Sequence, residues 1–148
     1  MPQSLASVLI HLIFSTKNRE STIPKELLPQ LHAYIVGILD KLQCPSLRTG
    51  GIVDHAHTLF ALHRTAAIAD VVEEVKKGSS KWMKQQGIAR FAWQAGYAAF
   101  SVSESQKAAV IRYVERQEEH HKKQTFQEEV RAFLTRHGVG FDEWYVWD

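Results

Sequence analysis

The sequence predicts an α+β protein built in the order β-α-β-β-α-β, with further helices after the last strand. Three observations carry that expectation. Runs rich in β-branched and aromatic residues, such as 8–16, are too short for ordinary helices. Longer stretches between them repeat their apolar residues at helical spacing. Turn and cap residues, among them Pro24, Pro45, Gly96 and Ser103, separate the two kinds.

The first strand, 8–16, is apolar along both faces and reads as central. Lys17-Asn18-Arg19 then makes a small basic turn. Ser21 or Thr22 ahead of Pro24 starts a helix with Leu27, Leu28, Leu31, Ile35, Ile38, Leu39 and Leu42 on one side, ending near Gln43. Residues 46–53 and 56–63 read as two tightly joined strands, with Gly50-Gly51 a turn or a bulge before Asp54. A second amphipathic helix covers 66–75, with Ile68, Val71, Val72 and Val75 inward. Lys76-Lys77-Gly78-Ser79-Ser80-Lys81-Trp82 is expected at the end of that helix. Its cations, hydroxyls and aromatic ring can hold phosphates and a stacked base, but locally a solvated helix end with Trp82 on the core is the favoured reading.

Phe91-Ala92-Trp93-Gln94 leads through Gly96 to the last strand, 97–102. Ser103 or Ser105 caps a helix running to about His121, and Thr125-Phe126-Gln127-Glu128 is a capping-box pattern opening another that stops at Gly138. The aromatic segment 141–148 is expected to pack on its own domain or on a partner. The order of elements is the ferredoxin-like split arrangement, an antiparallel sheet with additional C-terminal helices.

At 148 residues the chain fits one domain, 1–148, with a ferredoxin-like core at about 5–122 and a C-terminal helix and aromatic tail at 123–148. The single cysteine, Cys44, excludes an internal disulfide and a Cys-rich zinc site. No apolar run approaches the ~20 residues of a spanning helix, and the first residues lack a basic signal start, so a cytoplasmic location away from membranes is expected. A net charge of +2 with eight histidines permits nucleic-acid binding through a local patch without demanding it.

Within the strand pair, Asp54-His55-Ala56-His57 places two imidazoles on one face, since successive side chains of a strand alternate. The pair can share a divalent metal or lie buried without one. Tyr113 and Gln117, one helical turn apart, stack on one face. A phenol can act as a nucleophile and an amide oxygen can bind a hard cation, though each residue type also serves core or surface.

The combination of His55-Ala56-His57 with Arg112-Tyr113-Val114-Glu115-Arg116-Gln117 resembles the single-tyrosine HUH transposases. These are small enzymes that move insertion sequences as single-stranded DNA, with the REP-associated tyrosine transposases as relatives. The segments 11–19, 79–82, 91–97 and 118–121 look similar too, so the resemblance spans nearly the whole chain. It implies that His55, His57 and Gln117 bind the metal and that Tyr113 is the nucleophile. Ala56 is smaller than the usual residue between the histidines and faces away from the metal. Mg²⁺ or Mn²⁺ is the expected ion.

The resemblance further implies cleavage of single-stranded DNA beside hairpins at element ends, through a 5′-phosphotyrosine and a free 3′-hydroxyl. It also implies a homodimer in which the tyrosine helix of one subunit completes the histidine site of the other. Lys17, Arg19, Arg48, Lys76, Lys77, Lys81 and Arg112 are the candidate phosphate contacts. His120 and His121 are read as a solvated face, Tyr97 as structural, and His11 as either a support of the site or a core residue. The competing readings are a non-catalytic hairpin-binding protein that processes chromosomal repeats, and a metal-dependent hydrolase that uses water.

Overall fold

The computed structural model describes residues 2–148. Its regular elements are β1 (Leu9–Ser15), α1 (Leu28–Lys41), β2 (Ser46–Ile52), β3 (His55–Ala61), α2 (Ile68–Gln85), β4 (Ala98–Val102), α3 (Lys107–Glu115), α4 (Gln117–His120) and α5 (Phe126–Arg136). The strands form one antiparallel sheet in the order β2-β3-β1-β4, which is the ferredoxin-like arrangement expected from the sequence.

Every residue of β1 is buried because the sheet is covered on both faces. Ile10, Leu12 and Phe14 enter the main core with Phe60 of β3, Leu31, Ile35 and Leu39 of α1, and Val71, Val72 and Val75 of α2. The alternate residue Ile13 joins a smaller cluster with Phe100 of β4 and Phe126, Val130 and Leu134 of α5. One face therefore carries the bulk of the apolar core. The other receives α3, α4 and α5.

Four boundaries differ from the sequence reading, each for a physical reason. The first helix starts later than expected: a single 3₁₀ turn, Lys25–Leu27, precedes α1, and Ile23 N–H donates to Val53 O at 3.1 Å, tying the preceding segment to the β2–β3 turn. Helix α2 runs on through Lys76 to Trp82, where its end was expected. The small residues there serve close packing. A Cβ on Gly78 would lie 2.8 Å from Ile38 Cδ1 of α1. Buried Ser79 donates to Val75 O at 2.6 Å and accepts from Trp93 Nε1 at 2.9 Å.

Gly50-Gly51 is neither the turn nor the bulge. Both pair within the ladder, Gly50 opposite His57 and Gly51 opposite Ala56, and the register irregularity lies between Ser46 and Arg48. A Cβ on Gly50 would come 2.7 Å from Val114 O, so the missing side chain is what lets α3 lie this close to the sheet. Finally, the helix expected to reach His121 breaks at Arg116, whose φ of −103° and ψ of 25° separate α3 from α4. Thr125 caps α5 as the pattern predicted, its Oγ1 accepting from Glu128 N–H at 3.2 Å.

The tail packs partly on its own chain. Val146 and Trp147 lie against the smaller cluster, and Asp148 O accepts from Gly96 N–H at 2.8 Å, whereas Trp144 and Tyr145 are exposed. Among the described residues no helix is long and apolar enough to cross a membrane.

Candidate metal and tyrosine site

Alternation along β3 sends Ala56 and Phe60 into the main core and His55 and His57 to the opposite face, with both imidazoles fully buried. The break at Arg116 turns the chain so that Gln117 reaches the same face, its Oε1 lying 3.0 Å from His55 Nε2. Tyr113 stands beside them, its ring centre 5.8 Å from that of His57. The structure thus brings together all four residues singled out as metal ligands or nucleophile, within one chain.

Two residues missed at the sequence level complete the cluster. Glu129 of α5 is buried, and its Oε1 lies 2.9 Å from His57 Nε2 and 3.7 Å from His55 Nε2. Its other oxygen accepts from the Tyr113 hydroxyl and lies 3.3 Å from His121 Nε2. His121, read as solvated, is instead nearly buried, with its Nε2 3.2 Å from Gln117 Oε1 and its ring centre 4.3 Å from that of His55. The polar run 118–123 hid it. His120 packs its ring against Tyr113 at 4.4 Å.

The hydrogen-bond pattern tests whether a cation fits here. Asp54 Oδ1 accepts from His55 Nδ1 at 2.8 Å, which leaves the Nε2 of a neutral His55 as a bare lone pair. Gln117 Nε2 donates to Tyr113 O at 3.2 Å, which fixes the amide so that its oxygen faces that same Nε2. A lone pair then faces a lone pair, and a second proton on His55 or a cation beside both atoms relieves the conflict. His55, His121 and Glu129 offer ligand atoms all within 4.8 Å of one another, a donor set that could hold a metal ion.

Electrostatics separate the roles further. Burial pulls the His57 imidazole down to about 4 and holds His11 well below its ordinary value, so both are neutral at neutral pH. Burial alone would raise the Glu129 carboxyl, but hydrogen bonds from His121 and His57 win and keep it ionised. Burial, reinforced by the Glu129 charge, pushes the Tyr113 phenol above its usual range, so it rests as a neutral hydrogen-bond donor. His11 is buried behind the pair and hydrogen-bonded to it, its Nε2 2.9 Å from His57 Nδ1.

The candidate phosphate contacts are scattered. Lys17, Lys77, Lys81 and Arg112 are exposed. Lys77 lines a cleft of about 500 Å³ between α2 and the 91–97 loop, together with Trp93 and Tyr97. Arg19 lies 5.8 Å from the Trp147 ring centre, and Arg48 pairs with Glu115 at 3.6 Å. Lys76 points inward instead, donating to the carbonyls of Gln94, Ala95 and Gly96. Burial pulls it down to about 8, against three acceptors that favour the ammonium.

The split sheet and the histidine pair, amide and tyrosine gathered on one face agree with what the resemblance to the single-tyrosine HUH transposases implies. Residues 4–117 match the family described as transposase, IS200-like, and the chain belongs to that family. No curated protein matches the chain. Among solved structures, a candidate transposase from Deinococcus radiodurans R1 is 24% identical with a TM-score of 0.61, over 79% of this chain and 98% of that one. A REP-associated tyrosine transposase bound to a REP hairpin is 14% identical with a TM-score of 0.60, over 96% of this chain and 91% of that one. These two likenesses concern the fold.

Proposed function

We propose that this transposase cleaves and rejoins single-stranded DNA beside hairpins through a covalent link to Tyr113, with a divalent ion held by His55, His57 and Gln117. The observation that carries the reading is that the Tyr113 ring stands 5.8 Å from that of His57 while Gln117 Oε1 sits 3.0 Å from His55 Nε2, all on one face of the sheet. Bound there, a Mg²⁺ or Mn²⁺ ion would neutralise charge on the scissile phosphate.

The chain's own residues do the rest. The Tyr113 oxygen forms a bond to phosphorus as the bond from phosphorus to the 3′-oxygen breaks, giving a 5′-phosphotyrosine. The phenol proton leaves toward Glu129, whose Oε2 already accepts it as a hydrogen bond, and Glu129 gives it up to solvent as the 3′-oxygen takes one from solvent, which restores the carboxylate. Because the link remains an ester, an incoming 3′-hydroxyl can reverse the step without a nucleotide cofactor. Phosphates along the strand would meet Lys17, Arg19, Arg48, Lys77, Lys81 and Arg112. In the homodimer that the resemblance implies, α3 and α4 of one subunit would take against β2 and β3 of the other the positions they hold here within one chain.

The test incubates the purified protein with labelled hairpin DNA from the flanks of its own gene and Mg²⁺ or Mn²⁺, followed by a denaturing gel. The reading expects a metal-dependent adduct that is lost in Tyr113→Phe and in His55→Ala. Cleavage without an adduct would establish the hydrolase reading, and binding with neither would leave a hairpin-binding protein.

A further inference from the structure

We propose that Glu129 and His121 are ligands of the same ion as the histidine pair, and that Glu129 ties this ion to the nucleophile, one carboxylate oxygen facing the metal position and the other holding Tyr113. The inference rests on the metal-dependent reading above and adds to it two residues that lie beyond the family match at 4–117.

Three observations converge. The first is aim. His55 Nε2, His121 Nε2 and a Glu129 carboxylate oxygen lie within 4.8 Å of one another, Gln117 Oε1 lies 3.0 Å from His55 Nε2 and 3.2 Å from His121 Nε2, and His57 Nε2 joins the group through Glu129 Oε1 at 2.9 Å. The imidazoles of the pair are oriented from behind, His55 Nδ1 by Asp54 and His57 Nδ1 by His11, the pattern by which proteins fix a metal-binding tautomer. The second is charge. Glu129 is 1% exposed, and among the described residues its partners are His57, His121 and Tyr113 with no lysine or arginine bonded to it. A buried carboxylate among imidazoles is costly without a cation and well placed with one.

The third is the Tyr113 contact. The phenol donates to Glu129 Oε2, while Oε1 lies 2.9 Å from His57 Nε2 and 3.7 Å from His55 Nε2. The two oxygens of one carboxylate thus reach the nucleophile and the histidine pair separately. Fixing the phenol through the carboxylate gives the tyrosine a set position relative to the ion before any DNA arrives. Three imidazoles, an amide oxygen and a carboxylate suit Mn²⁺ better than Mg²⁺, which retains its waters and takes few nitrogen ligands.

The experiment titrates Mn²⁺ into the full-length protein without DNA and follows free Mn²⁺ by its paramagnetic resonance signal, then repeats the titration with Mg²⁺ as competitor. Wild type, Tyr113→Phe, Glu129→Gln, His121→Ala and His55→Ala are compared, with circular dichroism as the check on folding. Expected are unchanged Mn²⁺ affinity in Tyr113→Phe, a loss of ~10-fold or more in Glu129→Gln and in His121→Ala, comparable to what displaced metal-site partners cost elsewhere, and none bound in His55→Ala. The His121→Ala protein should also discriminate less between Mn²⁺ and Mg²⁺. If Glu129→Gln and His121→Ala bind Mn²⁺ like wild type while His55→Ala does not, the inference falls and the proposed function stands. If the wild type binds no Mn²⁺, the inference falls, and the adduct gel with Mg²⁺ decides the proposed function separately. Should Glu129→Gln not fold, His121→Ala decides on the same criterion.

Discussion

His11 of β1 and His57 of β3 share a buried hydrogen bond, Nε2 to Nδ1 at 2.9 Å, across the central pair of strands. It fixes the ring that turns its other nitrogen to Glu129. His11→Phe keeps a planar ring, somewhat larger, and removes the bond. Affinity for Mn²⁺ is expected to fall by roughly 10-fold or more with the fold retained, as read by calorimetric titration beside a circular dichroism spectrum. Unchanged affinity would make His11 a core residue.

The approach of Gly50 to Val114 predicts a second outcome. A Cβ there lies 2.7 Å from Val114 O, a backbone atom that yields only if α3 moves. Gly50→Ala should cost about 1–3 kcal/mol and displace Tyr113, lowering adduct yield more than hairpin affinity. Urea unfolding, adduct gels and a binding titration report the three quantities.

Lys76 and its helical neighbours should part company. Lys76→Met removes the donor shared by three carbonyls of the 94–96 loop and is expected to destabilise by about 1–3 kcal/mol. The exposed pair is different. Lys77→Ala with Lys81→Ala should leave stability within about 0.5 kcal/mol while weakening hairpin binding and lowering its salt slope by about 1–2. A salt slope equal to that of wild type would remove both from the DNA interface.

Acid should weaken the metal-free protein in two stages. His57 is held at about 4 by burial, below its usual 6.5. Between those values the unfolded chain binds a proton that the native state refuses, so stability is full above pH 6.5 and falls toward pH 4, by on the order of 3 kcal/mol for this group. Glu129, kept ionised by its histidine partners, adds a further loss below its ordinary value of 4.5. Urea midpoints at a series of pH values from 8 to 3.5 check the trend. A flat profile from pH 7 to 5 would contradict it.

The order of elements could be read before the structure because it rests on periodicity. Alternation puts His55 and His57 on one face and a helical turn puts Tyr113 beside Gln117, but that spacing fits core or surface residues equally, and the four became candidate site residues through the resemblance to the HUH transposases. Glu129 stayed hidden because an acidic residue in the first turn of a helix already has an explanation, stabilising that end of the helix. A signal was present nonetheless. Positions 126, 129, 130 and 134 are the buried positions of α5, and Glu129 is the only charged residue among them. The full length of α2 was illegible for a related reason. Gly78, Ser79 and Ser80 resemble a helix end in composition, and only the nearness of Ile38 and Trp93 reveals why small residues belong in mid-helix.

The two-faced burial of β1 has a consequence for mutation. Its even positions, Ile10, Leu12 and Phe14, serve the apolar core, whereas His11, Ile13 and Ser15 lie opposite Leu59, His57 and His55 toward the other side. A slip of one residue in this pairing would exchange the two sets, thrusting an imidazole into hydrocarbon and phenylalanine against the histidines. An insertion or deletion within 9–15 would thus erase fold and chemistry together, while a substitution can strike either one alone.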